Sequence, residues 1–355
     1  MNNQPQIDND EAEPDANVIP SPLAHQNSSL STNNQTLENL HRYFSSLNPH
    51  HIYTNNTDPI LNFACLNVKG LNSPTKQNSL SLLFKDYNLT FLGLTETKLS
   101  PSAARFIYND NPELHTYWAS SSDSHNGGVG FIISDLFSQH LQKVRKWKGR
   151  IISADFYFSQ FRLRLIVTYY PPVFKTVAAE INKELSFLLH DAKSSNFRCI
   201  VLGDFNTDPD NSGRHYKPHE PLLRLFSQHD YIEYPVMFNG QPLPTFQNAS
   251  NQTSRIDHMW HSPNFVAQNL IVNHSLHQVD AFIDSLDHYM LLHQYDFSTI
   301  LSTLSASRLK SKGECRKLIL YNKATKEHGK NLYKSLKMVL DHHFHHPLSM
   351  ANGTD

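Results

Sequence analysis

The 355-residue sequence has little cysteine, no long apolar run and no excess of charge of one sign. Its three cysteines, Cys65, Cys199 and Cys315, are too few for the disulfide framework of a small secreted domain, and no pair has zinc-site spacing. No stretch reaches the roughly 18 apolar residues of a membrane helix, and the polar start of the chain lacks the apolar core of a signal peptide. We therefore expect a soluble intracellular protein, nuclear or cytoplasmic, that is not secreted and has no membrane partner.

The formal net charge is −1, but the charges are distributed unevenly. Residues 1–57 contain six acidic residues and one basic residue, whereas residues 308–355 contain ten Lys or Arg and four Asp or Glu. The middle of the chain is nearly neutral, so a DNA contact there requires local basic patches. The Lys-rich stretch of residues 308–337 is either such a patch or a solvated face, and both interpretations stay open.

The composition divides the chain into three segments. Residues 1–57 are rich in Asn, Ser, Pro and Gln and are predicted to be a disordered polar tail, apart from one short helix marked by Leu37, Leu40 and Tyr43. Residues 58–300 contain the strand and helix patterns of one large domain. Residues 301–355 are predicted to be a Lys-rich, partly helical extension.

The middle segment mixes two kinds of strand connection. Ile60–Leu66 and Leu89–Leu94 predict buried strands on either side of an amphipathic helix over Gln77–Tyr87. Arg150–Phe158 and Arg162–Tyr169 predict a hairpin, and the second strand alternates at its start as a half-buried strand does. Further strands are predicted over His115–Ala119, Val129–Ser134, Cys199–Leu202, Arg255–His261 and His288–Phe297, and further helices over Val177–His190 and Glu220–His229. This mixture predicts an α/β (α+β) fold in which two mixed sheets pack face to face with helices outside, a four-layer α-β-β-α sandwich.

The stretch Arg198–Asn206 reads R-C-I-V-L-G-D-F-N and ends an apolar strand with two polar side chains. In extended backbone Asp204 and Asn206 point the same way, and a carboxylate beside an amide suits a divalent cation and a phosphate oxygen. The alternative is an Asx-turn in which Asn206 only caps the turn.

Polar residues recur at the ends of other predicted strands. Burying several such groups together is costly unless a cation or mutual pairing compensates them. A separate turn or cap at each position explains any one of them but explains the whole set poorly. The set comprises Asn67, Glu96, Tyr169, Asp204 with Asn206, Asp257 with His258, and Asp287 with His288.

Six motifs in this order resemble the endonuclease/exonuclease/phosphatase superfamily over residues 60 to 298. They are L-N-V-K-G-L-N-S, L-T-E-T-K, T-Y-Y-P-P, L-G-D-F-N, S-R-I-D-H-M-W and L-D-H-Y. Within the superfamily the sequence is most similar to the endonuclease domain of LINE-type non-LTR retrotransposons. The first two motifs, with the Gln77–Tyr87 helix between them, carry that closer similarity.

The resemblance implies a set of site residues. The implied catalytic residues are Tyr169, Asp204, Asn206, Asp257 and His288. The implied metal ligands are Asn67, Glu96 and Asp287, which would hold Mg²⁺ with Mn²⁺ as a substitute. The implied substrate contacts are Lys69, Lys98 and His125.

The same resemblance assigns roles to the catalytic residues. Tyr169 would contact the scissile phosphate, and Asp204 and Asn206 would position the attacking water and the phosphate. His288 would serve the phosphate or the water. Asp257 would fix the orientation and tautomer of His288.

Three positions depart from the superfamily pattern. Lys69 stands where several members have a second metal-binding acid, which argues against a two-metal site. Pro172 replaces a frequent Asn, and Leu286 precedes Asp287 where a Ser is usual.

The resemblance therefore implies a hydrolase acting on ester bonds, a Mg²⁺-dependent endonuclease that nicks DNA and derives from a retrotransposon. It implies DNA as the partner and no small-molecule cofactor, and it does not predict the oligomeric state. Two alternatives stay open. One is a phosphatase or phosphodiesterase of the same fold for a lipid or inositol phosphate, and the other is an inactive transposon remnant or nucleic-acid-binding module.

Overall fold

A computed structural model describes most of the predicted domain and a short stretch before it. The described residues are 35–40, 42–43, 60–121, 127–158, 161–172, 175–210, 220–279 and 286–298. The predictions made for the rest of the N-terminal tail and for the C-terminal extension lie outside these residues. Within them, no helix has the length and apolar character needed to cross a bilayer.

Six strands form the first sheet, called sheet 1. In chain order they are β1 Ile60–Asn67, β2 Phe91–Thr95, β3 Leu114–Ala119, β4 Val129–Ser134, β15 Ile271–His277 and β16 Met290–Asp296. Their order across the sheet is β15-β16-β1-β2-β4-β3. Helix α1, Pro74–Asp86, connects β1 to its parallel neighbour β2, and all other neighbours are antiparallel.

Six further strands form sheet 2. They are β5 Leu141–Trp147, β6 Ile151–Tyr157, β7 Arg162–Tyr169, β8 Phe197–Asp204, β9 Ile232–Glu233 and β14 Asp257–His261. Their order is β5-β6-β7-β8-β14-β9. Helix α3, Lys175–Ser194, connects the parallel pair β7 and β8, and the other neighbours are antiparallel.

The remaining elements are short. Two small hairpins pair β10 Met237–Phe238 with β11 Gln241–Pro242, and β12 Phe246–Gln247 with β13 Thr253–Ser254. The other helices are α2 Asp135–Ser138, α4 Glu220–Gln228, α5 Pro263–Val266 and a 3-10 turn over Ala103–Arg105.

The two sheets pack face to face and are covered by helices, which confirms the predicted four-layer sandwich. Side chains from both sheets meet in the central core, for example Phe63 and Leu202. Leu83 of α1 packs on the outer face of sheet 1, and Leu185 of α3 and Phe226 of α4 pack on the outer face of sheet 2. An apolar strand with both faces covered reads as a continuous apolar run, which is why most strands were visible in the sequence.

The strands of the two large sheets that the sequence did not reveal lie at sheet edges. β5 and β15 are the outermost strands on one side of each sheet. β5 reads L-Q-K-V-R-K-W and exposes its Gln and Lys side chains, and β15 exposes Val272 and Asn273. An edge strand with one open flank tolerates charged residues, so its apolar periodicity is weak.

The prediction that β7 is half-buried is wrong. Arg164 is only 2% exposed and pairs through two nitrogens with Asp155, which is also buried. The same guanidinium donates to Asp191 and to the Leu188 carbonyl of α3, and it stacks on Phe197. The alternating polar residue therefore anchors the helical layer to sheet 2 instead of facing water.

The short helix predicted before the domain is present. Residues 35–40 and 42–43 are helical, and Leu40 and Tyr43 are buried in the central core. The Leu276 amide donates to the Tyr43 hydroxyl at 2.9 Å. The core thus includes side chains from before residue 58, and the segment boundaries stay predictions.

Histidine rings fill part of the core. The rings of His261 and His293 are both fully buried and stack with centroids 5.4 Å apart, and His274 and Tyr295 pack beside them. Neither ring nitrogen of His293 has a hydrogen-bond partner within the described residues. Burial lowers the pKa of His261 to about 4 and holds the pKa of His293 well below its ordinary value.

The buried guanidinium of Arg164 gives the first prediction. Arg164→Leu leaves the Asp155 carboxylate buried without its partner, so we expect the free energy of unfolding to fall by about 3–5 kcal/mol. Arg162→Leu, on the same strand but with an exposed side chain, should cost no more than about 1 kcal/mol. Urea unfolding followed by circular dichroism measures both. A similar loss in the two variants would contradict the structural role of Arg164.

The buried histidines give the second prediction. Unfolded imidazoles bind protons below about pH 6.5, whereas the buried neutral rings do not, so stability should fall as the pH drops from 6.5 towards 4. His293→Leu removes one such ring together with its two unpaired nitrogens. We expect its stability to decline less steeply in this range, by up to about 1.4 kcal/mol per pH unit. Urea midpoints measured between pH 4 and 7.5 test this, and parallel curves for variant and wild type would refute it.

Candidate active site

The strand directions gather the predicted polar side chains at one edge of the sandwich. The parallel strands β1 and β2 end together, which places Asn67 at the same edge as Glu96. The parallel strands β7 and β8 end at the paired residues Tyr169 and Asp204. Because β14 runs antiparallel to β8, it begins at this edge, with Asp257 opposite Asp204.

A glycine permits the close approach of β7 and β8 just before this edge. Gly203 has φ +137°, and a Cβ at this position would lie 2.1 Å from the Thr168 carbonyl oxygen. A side chain there would push the strands apart. Gly203 therefore keeps Asp204 beside Tyr169.

Three hydrogen bonds join the two sheets at the edge. The Tyr169 hydroxyl donates to Glu96 Oε1 at 2.9 Å. Asn67 Nδ2 donates to Asp204 Oδ2 at 2.9 Å. His288, just before β16, lies 2.8 Å from Asp257 Oδ2 through its Nδ1. Each bond links a residue of one sheet to a residue of the other, so the sheets hold the site together.

These side chains surround an open pocket of about 380 Å³. Eight of the predicted residues line it, and Tyr169 and Asp257 form hydrogen bonds with the lining residues Glu96 and His288. The predicted lining residues are Asn67, Lys69, Glu96, Lys98, Asp204, Asn206, Asp287 and His288. The sequence did not indicate the other lining residues, Phe246, Ser254 and Ile256, which belong to or follow the short hairpin of β12 and β13. No strong periodicity marks strands of two residues.

Lysines pair with the two carboxylates that were predicted to bind metal. Lys98 Nζ lies 2.9 Å from Glu96 Oε2, and Lys69 Nζ lies 2.8 Å from Asp287 Oδ2. Burial would raise the pKa of Glu96, but hydrogen bonds from Lys98, Tyr169 and Asn67 outweigh it and lower the pKa. Glu96 is therefore a carboxylate at neutral pH, as a ligand for a hard cation must be.

The donor set fits a divalent metal ion. Glu96 and Asp287 offer carboxylate oxygens and Asn67 offers an amide oxygen, the ligand types that Mg²⁺ prefers. Asp204, Asp257 and His288 form a second group whose possible ligand atoms lie within 4.8 Å of one another. Atoms of both groups are already paired, but the first group offers only oxygen atoms and the second includes an imidazole, so the first group is the better candidate for a hard cation.

Asp204, Asp257 and His288 are electrostatically linked. Burial raises the pKa of Asp204, and the nearby Asp257 raises it further. Burial would lower the pKa of His288, but Asp257 with Asp204 and Asp287 outweighs it and raises the pKa to about 9. The imidazole is therefore protonated at neutral pH and can donate from its other nitrogen. Asp257 Oδ1 is buried and has no hydrogen-bond partner within the described residues.

Tyr169 is held as a neutral hydrogen-bond donor. Burial raises the pKa of its hydroxyl, and the negative charges of Glu96 and Asp204 raise it further. The guanidinium of Arg150 lies over the ring, 4.9 Å from its centroid. Arg150 was not among the predicted site residues, because an Arg at the start of a predicted strand carries no motif of its own.

Several site residues adopt the left-handed backbone region that side chains rarely occupy. The φ values are +49° for Lys69, +50° for Glu96, +51° for Lys98 and +48° for Asn206. Such conformations persist where the surroundings enforce them, and they cluster at functional sites. At Asn206 the backbone amide donates to Asp204 Oδ1, and the side chain donates to the Tyr170 carbonyl. Asn206 thus forms the Asx-type turn and also lines the pocket.

His258 does not face the pocket, although it was grouped with the polar residues at strand ends. It is fully buried, and its ring contacts Glu233 and the Thr207 carbonyl. Arg255 pairs with Glu233 and with Asp210 at 2.6 Å, so the network ties the loop after Asn206 to β14. Successive residues of a strand point to opposite faces, and Asp257 therefore faces the site while His258 does not.

The predicted residue His125 lies outside the described residues. The other ten predicted site residues line the pocket or bond to a residue that lines it.

Comparison with known proteins was made on sequence and on structure. Residues 61–288 match the Endonuclease/Exonuclease/phosphatase family. Among curated proteins, no sequence matches the chain significantly.

The solved structures of similar fold include nucleases of low sequence identity. The 3'-5' exonuclease NExo from Neisseria meningitidis has a TM-score of 0.51 at 18% identity and covers 66% of this chain and 100% of its own. An AP endonuclease from Archaeoglobus fulgidus has a TM-score of 0.52 at 16% identity and covers 66% of this chain and 99% of its own. The AP endonuclease LMAP from Leishmania major has a TM-score of 0.56 at 14% identity and covers 74% of this chain and 98% of its own. At these identities the likeness shows the fold alone.

The coupling between His288 and Asp257 gives a prediction about titration. In Asp257→Asn the attraction that outweighs burial is lost, so we expect the pKa of His288 to fall from about 9 to 6.5 or below. Asp287→Asn, which removes a weaker and more exposed charge, should lower it less. Titration of the His288 ring by NMR measures both. A His288 pKa unchanged in Asp257→Asn would refute the pairing.

Proposed function

The chain belongs to the endonuclease/exonuclease/phosphatase family, whose members are hydrolases of phosphate esters, and from this premise we propose that it is a metal-dependent phosphodiesterase that nicks DNA. The observation that carries the proposal is the pocket into which two sheets direct carboxylate, amide, imidazole and ammonium groups. Hydrolysis of a phosphodiester requires an activated water, neutralisation of the phosphate charge and stabilisation of the leaving group. The pocket has candidates for the first two tasks.

The proposed metal ligands are Glu96, Asn67 and Asp287. The pocket and the side chains bonded to it contain four carboxylates, which two lysines, the protonated His288 and Arg150 nearly balance, so the case for a cation rests on the oxygen ligands. When bound, Mg²⁺ would neutralise charge on the phosphate oxygens. Lys69 and Lys98 now pair with two of these carboxylates, and in the complex their ammonium groups would be free to contact phosphate oxygens.

The proposed general base is Asp204. Its raised pKa suits proton transfer near neutral pH, and its oxygens are oriented by Asn67 and by the Asn206 amide. A water held at Asp204 would transfer a proton to the carboxylate as its oxygen bonds to the phosphorus. The phosphorus–oxygen bond of the strand would break, and the leaving alkoxide would take a proton from water. His288 in its protonated form would donate to a phosphate oxygen, and Asp257 would hold the ring for this purpose.

Tyr169 and Asn206 are two further proposed hydrogen-bond donors to the phosphate oxygens. The Tyr169 hydroxyl remains protonated and lies next to Glu96, where a phosphate bound to the metal would sit. Its single proton is now donated to Glu96, so the hydroxyl would turn to a phosphate oxygen when the metal ion engages Glu96.

The proposal extends to origin and substrate. DNA is the substrate class that the similarity to LINE-type retrotransposon endonucleases supports, and the two motifs that carry this similarity flank α1 and contribute Asn67, Lys69, Glu96 and Lys98. Lys69 supports a single-metal site, since a cation occupies the position of a second acidic ligand.

A plasmid-nicking assay tests the proposal. The wild-type protein should convert supercoiled plasmid to open circles with Mg²⁺ and lose this activity in EDTA. Asp204→Asn and His288→Ala should reduce the nicking rate by about 10² to 10⁴. Asp86→Asn and His190→Ala, two exposed residues on helices, are the matched controls and should nick at the wild-type rate.

The outcomes separate the competing interpretations. Nicking by Asp204→Asn and His288→Ala at the wild-type rate would refute the assigned residues. Turnover of an inositol phosphate or a phosphoinositide vesicle without nicking would refute DNA as the substrate. DNA binding without turnover in either Mg²⁺ or Mn²⁺ would identify an inactive binding module instead.

A further inference from the structure

A second pocket lies at the opposite ends of the sheet 2 strands from the candidate active site. It has a volume of about 420 Å³ and is lined by Tyr157, Phe158, Phe161, Arg162, Ser195 and Arg198, among others. These residues belong to the end of β6, the start of β7 and the start of β8. Asp204 lies at the other end of β8, about 20 Å from Arg198 at the usual rise of a strand. We refer to it as the arginine–aromatic pocket.

Each of its two arginines is positioned on an aromatic ring. The Arg198 guanidinium lies 5.2 Å from the centroid of Phe161, and the Arg162 guanidinium lies 5.3 Å from that of Tyr157. One hydrogen bond further fixes each group, from Arg198 Nε to Gln268 and from Arg162 Nη1 to the Ser195 carbonyl. The positions of both cations are thereby defined before any ligand binds.

Neither arginine has a counter-ion within the described residues. Arg162 is exposed and Arg198 is half-buried, whereas the buried Arg164 of the same sheet has a carboxylate partner in Asp155. A guanidinium offers five N–H donors, and each of these two uses one of them. Burial lowers the pKa of Arg198, which reflects a cation that is partly removed from water without compensation. An anion in the pocket would compensate both charges.

The rest of the lining consists of three aromatic residues and the polar residues Ser195 and Asn196. Phe161 stacks on Phe158 with centroids 4.5 Å apart and on Phe297 at 5.3 Å. Tyr157 is 44% exposed, so part of its ring is accessible to a ligand. The pocket volume of about 420 Å³ lies in the range of roughly 300–1,000 Å³ that is usual for small-molecule sites, so the pocket has room for more than an isolated phosphate. Arginine forks match phosphate oxygens, and arginine and aromatic rings stack on nucleobases.

We propose that the arginine–aromatic pocket binds a nucleotide, with the phosphate on Arg162 and Arg198 and the base against the exposed part of the Tyr157 ring. The proposal does not depend on the proposed function, because it concerns a separate pocket. The nucleotide is either free or part of a nucleic-acid strand, and both present the same phosphate and ring.

Calorimetric titration of the full-length protein with dAMP tests the proposal, with deoxyadenosine, inorganic phosphate and a short single-stranded oligonucleotide as comparison ligands. Hydrogen exchange locates the binding. We expect dAMP to bind more tightly than either of its parts and to protect residues around 157–162 and 195–198. Tighter binding of the oligonucleotide than of dAMP identifies the strand as the source of the nucleotide.

The variants separate this pocket from the active site. Arg198→Gln and Arg162→Gln should each weaken dAMP binding about tenfold or more, as expected for a lost charge-assisted hydrogen bond. Arg198→Lys keeps the charge and should weaken it less. Arg224→Gln, which removes an exposed arginine on α4, and Asp204→Asn at the opposite edge should leave binding unchanged.

Three results would overturn the proposal. They are equal affinity for dAMP and inorganic phosphate, unchanged affinity in both glutamine variants, and protection confined to the edge that contains Asp204.

Discussion

Hydrogen bonds between side chains join the two sheets at one end of the sandwich, and the candidate active site depends on these bonds. Tyr169 with Glu96, Asn67 with Asp204, and His288 with Asp257 each join one sheet to the other. Groups of this kind would each cost free energy if they were buried without a partner. Because every partner comes from the opposite sheet, the sandwich and the site stabilise each other.

The same arrangement produces the unusual electrostatics of the pocket. Burial beside a second carboxylate raises the pKa of Asp204, whereas hydrogen bonds from Lys98 and Tyr169 help to lower that of Glu96. The pKa values of these two carboxylates are therefore shifted in opposite directions. The raised value suits Asp204 to proton transfer, and the lowered value keeps Glu96 charged for cation binding. Lys69 and Lys98 balance part of the charge, which allows the acids to remain close together before any ligand is bound.

Much of the fold followed from the sequence because its central strands are covered on both faces. The strand ending at Asp204 was recognisable as an apolar run, and the strand over Arg162–Tyr169 was recognisable by the alternation at its start. Edge strands such as β5 were not recognisable, because an open flank accepts charged residues. Arg164 was misjudged for a related reason: an alternating polar residue indicates exposure only when no buried acid is placed to receive it.

The sequence by itself determined which strands end in oxygen-bearing side chains, since strand ends follow from local apolar periodicity and the punctuation of Gly and Pro. Only the tertiary structure decided which of these side chains meet. Asn67 and Asp204 are separated by 137 positions, and their contact depends on how two twisted sheets pack, which no local pattern encodes. The same packing turned Asp257 towards the pocket and left its neighbour His258 in a buried network behind it.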